Sequence, residues 1–278
     1  MGELDGQNVL ITGGGTGIGY MMAQQYFKEG AHVIISGRRL PVLEKAQSTL
    51  TADGSGTGTG TGKVSTLQGD VSTKEGLEKL VADYTTTIGS TLDHLVCNAG
   101  ILKIDPRYRD DLSVDELVKQ LTTTSFEDWQ SSYACNTIAP YVLAGLFLPA
   151  LHASKTGGNI IMTSSIAGVH WSAKSSNASY GASKAALNHL VKILANKLSP
   201  LYVRVNAIAP GLFPSEIVAA GDAGVSDMVK QMESKVPAKR MGNAMEMGKA
   251  ALFLSTCTYM HGHVLVIDGG RSLRAGGE

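Results

Sequence analysis

Seven short apolar runs, separated by longer stretches of helical spacing, constrain this 278-residue chain more than any single motif. The runs are NVLIT (8–12), HVIIS (32–36), KVSTLQG (63–69), HLVCNAG (94–100), NIIMTSS (159–165), VRVNAIAP (203–210) and HVLVIDG (263–269). Most are apolar at consecutive rather than alternate positions, the pattern of strands covered on both faces. Between them the spacing predicts helices near 17–29, 40–50, 73–88, 126–153, 178–199 and 244–256. Such alternation implies right-handed crossovers and a parallel sheet. The expected architecture is α/β, a doubly wound parallel sheet of about seven strands with helices on both faces.

The length suits one large core, and no Pro/Ser-rich linker or charge block divides the chain, so a single domain over 1–278 is expected. Two segments interrupt the rhythm. GSGTGTGTG (54–62) has no side chains to pack and reads as a flexible surface loop. The stretch 101–124, rich in charge and threonine, reads as a longer connection that either borders a substrate cleft or decorates the surface.

Charge argues against a nucleic-acid surface: Lys plus Arg and Asp plus Glu number 24 each, with no concentrated basic run. Three cysteines, an odd number without a CxxC pair, suit a reducing compartment, and Cys97 and Cys135 read as inert in buried contexts. The opening MGELDGQ has neither a basic region nor an apolar core, and Gly6 stands where a myristoylation signal needs Ser or Thr. The longest apolar stretch, 138–151, is too short to span a bilayer and carries two prolines, so no membrane partner is expected. A soluble, cytoplasmic protein is the expectation. His261 and His263 flank Gly262 without a partnering ligand cluster and read as turn residues, with no metal site. Met228, Met232, Met241, Met245 and Met247 fall in or near a lid-like region, 212–247, and read as adaptable packing.

Chemistry enters with TGGGTGIG (12–19), which follows the first strand and opens a helix. Gly13 permits a tight turn, Gly17 admits main chain close to a phosphate, and Gly19 allows close helix–strand packing. The helix start offers unpaired N–H groups and the positive end of its dipole to phosphate oxygens. Farther on, YGASK (180–184) sets Tyr180 and Lys184 four residues apart on one helix face. A free tyrosine titrates about three units above neutrality, so a nearby cation would have to supply roughly 4 kcal/mol to bring it down. Ser164 and Ser165 end the fifth strand, where ligands collect in open α/β sheets, and only one of two neighbours can face the cleft.

Taken in order, these motifs make the chain similar to the short-chain dehydrogenase/reductase family, compact single-domain subtype, over nearly its whole length. The glycine spacing TGxxxGxG is the first match. The resemblance implies a Rossmann-type fold and a catalytic tetrad of Asn136, Ser165, Tyr180 and Lys184. Ser165 is chosen over Ser164 because the family's serine precedes a small apolar pair and glycine, here SIAG. Its hydroxyl would hold a substrate carbonyl oxygen as charge develops. Tyr180 would exchange the proton, Lys184 would bind the nicotinamide ribose and, together with an oxidised nicotinamide, depress the tyrosine pKa, and Asn136 would support a water-mediated proton path to Lys184. Fifteen positions separate Ser165 from Tyr180, more than is usual in the family, so the loop bearing His170 and Trp171 is expected to reshape the substrate pocket. Cofactor contacts implied by the resemblance are Gly13, Thr16, Gly17, Ile18, Gly19, Asp70, Val71, the NAG segment (Asn98, Ala99, Gly100), Pro210, Gly211 and Phe213, together with Tyr180 and Lys184. VIDGG (266–270) matches the last strand, and GLFPSEI (211–217) the region that closes over substrate.

The second strand refines the cofactor. A carboxylate at its end would accept a ribose 2′-OH and repel a 2′-phosphate; here Ser36 and Gly37 are followed by Arg38 and Arg39. Guanidinium groups match phosphate geometry and stay charged, whereas as a solvated helix start they would oppose the dipole. NADP(H) is therefore expected over NAD(H). The implied reaction is hydride transfer between nicotinamide and a carbonyl or secondary alcohol. The leading expectation is an NADPH-dependent reductase of a ketone or 3-oxoacyl-type substrate. Alcohol oxidation in the same site, or NADP(H) sensing without turnover, are the alternatives. The resemblance also implies a homodimer or homotetramer through the helices at 126–153 and 178–199.

Overall fold

A computed structural model describes residues 2–54, 62–103, 112–170, 178–215 and 225–274. Seven strands, β1 (Asn8–Thr12), β2 (His32–Gly37), β3 (Lys63–Gln68), β4 (His94–Cys97), β5 (Asn159–Thr163), β6 (Arg204–Pro210) and β7 (Val264–Ile267), form one sheet in the order β3-β2-β1-β4-β5-β6-β7. Every pairing is parallel. Strand order reverses between β1 and β4, and the crevice beyond the carboxyl ends of those strands is where such sheets bind ligands.

The unbroken apolar runs follow from the two covered faces. Leu10, Ile34, Leu95 and Ile160 pack with Tyr84, Phe147, Leu187 and Val191 on one side. Their chain neighbours Val9, Ile11, Val33, Ile35 and Ile161 pack with Met22, Tyr26, Leu50, Met247 and Leu254 on the other. Helices on the second side are α1 (Gly17–Lys28), α2 (Leu40–Gly54) and α10 (Ala244–Thr256); α3 (Lys74–Thr87) and α8 (Ala178–Leu198) cover the first. Arg204 ties β6 to the end of α10 by donating to the carbonyls of Leu254 and Ser255, each at 2.9 Å. Unpaired carbonyls at a helix end attract a cation in this way.

Three expectations need correction. The stretch 101–124 is not merely a connection: α4 (Val114–Thr122) lies in it, opened by a capping box in which Ser113 and Glu116 bond each other's backbone. That S-x-x-E signature, followed by apolar residues 114, 117, 118 and 121 at helical spacing, was readable but is masked by the threonine and charge around it. The single helix expected over 126–153 is instead α5 (Phe126–Tyr133), a π-helical turn (Ala134–Ile138), α6 (Ala139–Leu146) and α7 (Leu148–His152). Pro140 has no N–H for the carbonyl four residues back, that of Asn136, and the ladder widens there. Pro149 lies in the first turn of α7. Finally, β4 and β5 stop at Cys97 and Thr163, leaving Asn98 and Ser165 on the loops beyond. The lid-like region carries α9 (Val225–Ser234).

Of the 54–62 tract only its two ends fall within the described residues, and Trp171 lies outside them. Among the described residues no helix is long and apolar enough to cross a membrane. His261 has a structural position: one ring nitrogen accepts from the Val205 N–H at 3.1 Å and the other lies 2.9 Å from the Ala195 carbonyl.

Candidate active site

One cavity of about 1370 Å³ collects the loops after six strands. Residues 15–18 line it after β1, 37–39 after β2, 69–72 after β3, 98–103 after β4, 164–167 after β5 and 211–213 after β6. Tyr180, Gly181 and Lys184 enter from α8.

The glycine turn is built as its composition requires. Gly13 (φ 66°) and Gly17 (φ 53°) occupy the left-handed region that favours glycine. The Gly13 N–H donates to the Ser36 carbonyl at 2.7 Å, locking the turn to β2. A Cβ on Gly19 would collide with the Gly13 carbonyl and with the Asn98 side chain, so Gly19 serves close packing and does not line the cavity. Thr16, the N-cap of α1, makes no side-chain capping bond, whereas the caps of α3, α4, α5 and α10 all accept one from the backbone. The first N–H groups of α1 therefore face the cavity without the usual hydroxyl acceptor, a setting that suits a phosphate.

At the end of β2, Ser36 is buried and its hydroxyl has no hydrogen-bond partner among the described residues, while Arg38 and Arg39 are exposed at the cavity edge. Asp70 accepts from the Ser72 N–H at 2.9 Å and the Ser72 hydroxyl at 2.7 Å. Burial pushes its carboxyl up, but those two bonds and the nearby Arg38 charge outweigh it and hold the group below its ordinary range. Among the described lining residues Asp70 is the sole carboxylate, so the cavity as a whole favours a negative occupant. A dinucleotide carrying phosphates fits both this charge and the glycine turn.

Asn98 stands on the cavity wall, yet its side chain is committed to the scaffold. Its amide donates to the carbonyls of Thr12 (3.1 Å) and Gly13 (3.2 Å), and its oxygen accepts from Thr163 at 3.2 Å. It joins the ends of β1 and β5 to the glycine turn, and both of its amide hydrogens are engaged in doing so. Thr12, absent from the expected set, accepts from the N–H groups of both Asn98 and Ala99 at 3.1 Å. Nothing in the run NVLIT distinguishes that hydroxyl; only the fold brings it beneath β4.

At the other end stand Ser165, Tyr180 and Lys184, three of the four expected tetrad residues. Ser164 turns to α8, donating to Asn188 Oδ1 at 2.6 Å, and Asn188 donates to the Gly168 carbonyl at 2.9 Å. Ser165 caps the 3-10 turn Ile166–Gly168, accepting from the Ala167 N–H at 3.1 Å, and stands close enough to Tyr180 to favour the charged form of its phenol. Lys184 Nζ lies 5.8 Å from the Tyr180 ring centroid and donates to the Thr163 carbonyl at 2.6 Å. Burial pulls the Lys184 ammonium down to about 8. Burial also raises the Tyr180 phenol, with Ser165 opposing. The expected depression of Tyr180 by Lys184 is thus not met by these side chains alone: the ammonium is aimed at a carbonyl and is itself desolvated.

Asn136, in the π-helical turn, does not line the cavity. Its oxygen accepts from the Ile101 N–H at 2.9 Å, and its amide donates to the Ile101 carbonyl at 2.9 Å and to Ser183 at 3.1 Å. Its side chain thereby fixes the loop after β4 against α8, rather than bonding Lys184. Phe213 lines the cavity but also belongs to the core, its ring filling the space beside Gly242. Val71, Gly100, Pro210 and Gly211 all lie on the wall, and Met232, Arg271 and Cys135 join them. Burial raises the Cys97 thiol to about 12 and the Cys135 thiol above its usual range, which keeps both protonated and unreactive at neutral pH.

The chain is similar to known proteins in sequence and in fold. Residues 13–272 match a family profile described as Enoyl-(Acyl carrier protein) reductase. The short-chain dehydrogenase/reductase PhomF of Diaporthe leptostromiformis is 34% identical, with 97% of this chain and 92% of that protein covered. The RhlG/NADP active-site complex of Pseudomonas aeruginosa superposes with a TM-score of 0.81 at 29% identity, covering 97% of both chains. L-sorbose reductase of Gluconobacter frateurii, solved with NADPH and L-sorbose, gives 0.79 at 27% identity over 98% of each. With its seven-stranded Rossmann-type sheet and a ligand cavity at the switch point, this chain belongs to the short-chain dehydrogenase/reductase family, enzymes that interconvert CH–OH and C=O groups.

Proposed function

We propose that the chain, folded as one domain, is an NADPH-dependent reductase that converts a ketone, of simple carbonyl or 3-oxoacyl type, to a secondary alcohol. The observation that carries the reading is the grouping of Ser165, Tyr180 and Lys184 on the wall of a cavity whose other end is a glycine turn with two arginines. The nicotinamide supplies the hydride. Ser165 donates to the carbonyl oxygen as negative charge grows there. Tyr180, kept protonated by burial, delivers the proton to the same oxygen. Lys184, with a pKa of about 8, is mostly charged at neutral pH; it orients the ribose and supplies positive charge as the phenol loses its proton. Gly13, Thr16, Gly17 and Ile18 hold the pyrophosphate, and Ser36, Arg38 and Arg39 the 2′-phosphate. Asp70 and Val71 border adenine, while Asn98, Asn136 and Gly19 serve by fixing the walls.

Relatives solved with NADP or NADPH support this cofactor preference. Two hydroxyls converging on one oxygen suit carbonyl reduction; saturation of a carbon–carbon double bond, named in the matching family description, needs a proton at carbon. Run in reverse, the same groups oxidise a secondary alcohol. Exposed Ile138 and Tyr141, in the π-helical turn and α6, fit a homodimer or homotetramer contact.

The test is Tyr180→Phe, assayed by NADPH absorbance over a ketone panel. NADPH should still bind with near-normal affinity while turnover falls by several orders of magnitude; preserved turnover would remove Tyr180 as the acid. Tight NADPH binding by the wild type with no turnover of any ketone or alcohol would favour a sensor instead.

A further inference from the structure

The proposed chemistry uses Ser165, Tyr180 and Lys184 but leaves His170 unexplained. His170 lies just past the 3-10 turn that Ser165 caps, held there by its N–H to the Ile166 carbonyl at 3.0 Å. It lines the same cavity, and both ring nitrogens are buried with no hydrogen-bond partner among the described residues. Buried polar atoms are almost always satisfied, so an orphaned imidazole on a cavity wall calls for a ligand atom. Its surroundings say which kind. Asp268, an acid within electrostatic reach, makes no hydrogen bond to the ring among the described residues; its two carboxylate oxygens accept from the N–H groups of Gly270 (2.9 Å) and Ser272 (2.6 Å). Arg271 adds a cationic side chain to the wall, and Asp70, the single carboxylate among the described lining residues, stands on the loop after β3.

We infer that His170 is a specificity-determining residue, donating a ring N–H to a second oxygen acceptor on the substrate, a carboxylate or acyl oxygen a few bonds from the ketone. The inference rests on the ketone-reductase reading and narrows its substrate class. A plain alkyl ketone would leave the imidazole desolvated and unpaired, whereas an acceptor-bearing ketone would satisfy it.

The experiment compares ethyl 3-oxobutanoate with heptan-2-one, matched in length and differing in the ester oxygens, and extends to longer pairs of the same design. The readout is the ratio of kcat/KM for the two members in wild type, His170→Phe and His170→Gln. Intrinsic differences in electrophilicity cancel when the ratio is compared between proteins. The expected result is a fall of about 10- to 100-fold in that ratio for His170→Phe, expressed mainly in KM, with partial recovery in His170→Gln, which keeps a donor. Unaltered NADPH affinity, measured by fluorescence titration, shows that each variant is folded. An equal loss on both members, or an unchanged ratio, overturns the assignment while leaving the reductase reading intact. A loss of NADPH affinity in His170→Phe overturns it too, by moving the residue to the cofactor. Absence of turnover on every pair in wild type removes the reductase reading itself and the inference with it.

Discussion

Asn188 offers the sharpest test of how the site is held. It lies one helical turn past Lys184 and makes two side-chain bonds, accepting from Ser164 at 2.6 Å and donating to the Gly168 carbonyl at 2.9 Å. These join α8, which carries Tyr180 and Lys184, to the turn that carries Ser165. The contact is close by construction: a Cβ on Gly168 would stand 2.5 Å from the Lys184 carbonyl carbon. Asn188→Leu keeps the volume and removes both bonds. At ~1 kcal/mol per bond the loss is ~2 kcal/mol, equivalent to a drop of about 4–8 °C in Tm for a chain of this size. Loosening the turn also lets Ser165 drift from Tyr180, and a displacement of about 1 Å costs roughly 100-fold in kcat. Thermal denaturation and turnover on any accepted ketone read the two effects separately. Ser164→Ala, alone and combined with Asn188→Leu, should show non-additivity of at least ~0.5 kcal/mol, because both remove the same bond. A Tm within about 1 °C of wild type, with kcat unchanged, would refute the claim that these bonds set the Ser165–Tyr180 geometry.

Arg38→Ala should lower the NADPH-to-NADH ratio of kcat/KM by about tenfold, less at high salt because Arg38 is exposed; an unchanged ratio would break the 2′-phosphate assignment. Lys184→Met should abolish turnover yet stabilise the cofactor-free protein at neutral pH. The folded ammonium, at about 8 against 10.5 when free, releases its proton before the unfolded one does, so wild-type stability rises with pH across that window. The advantage of Lys184→Met, ~3 kcal/mol below pH 8, should therefore shrink as pH approaches 10.5, and a pH-independent gap in denaturant titrations would show that Lys184 is not desolvated as argued.

Much of the fold was legible because its signals are local. A parallel strand buried on both faces needs consecutive apolar side chains, so the seven runs mark the seven strands to within three residues at either end. Glycines at left-handed φ and the YGASK spacing within a single helix are equally local. The α4 helix was missed although its capping box was present, because composition drew attention away from a short periodic signal.

What the chain by itself determined is the seven strands, most of the helices, the glycine turn between β1 and α1, and which side chains to propose for the chemistry. Tertiary structure decided what those side chains are bonded to. Ser164 and Ser165 are adjacent, yet one is spent on Asn188 and the other meets Tyr180. Asn98 and Asn136 turned out to be braces across the loops after β4, and His170 was left with buried, unpaired nitrogens. The reason is range: hydrogen-bond partners and desolvation depend on residues tens of positions away, which no window of sequence brings together, whereas strand and helix patterns repeat within a few residues.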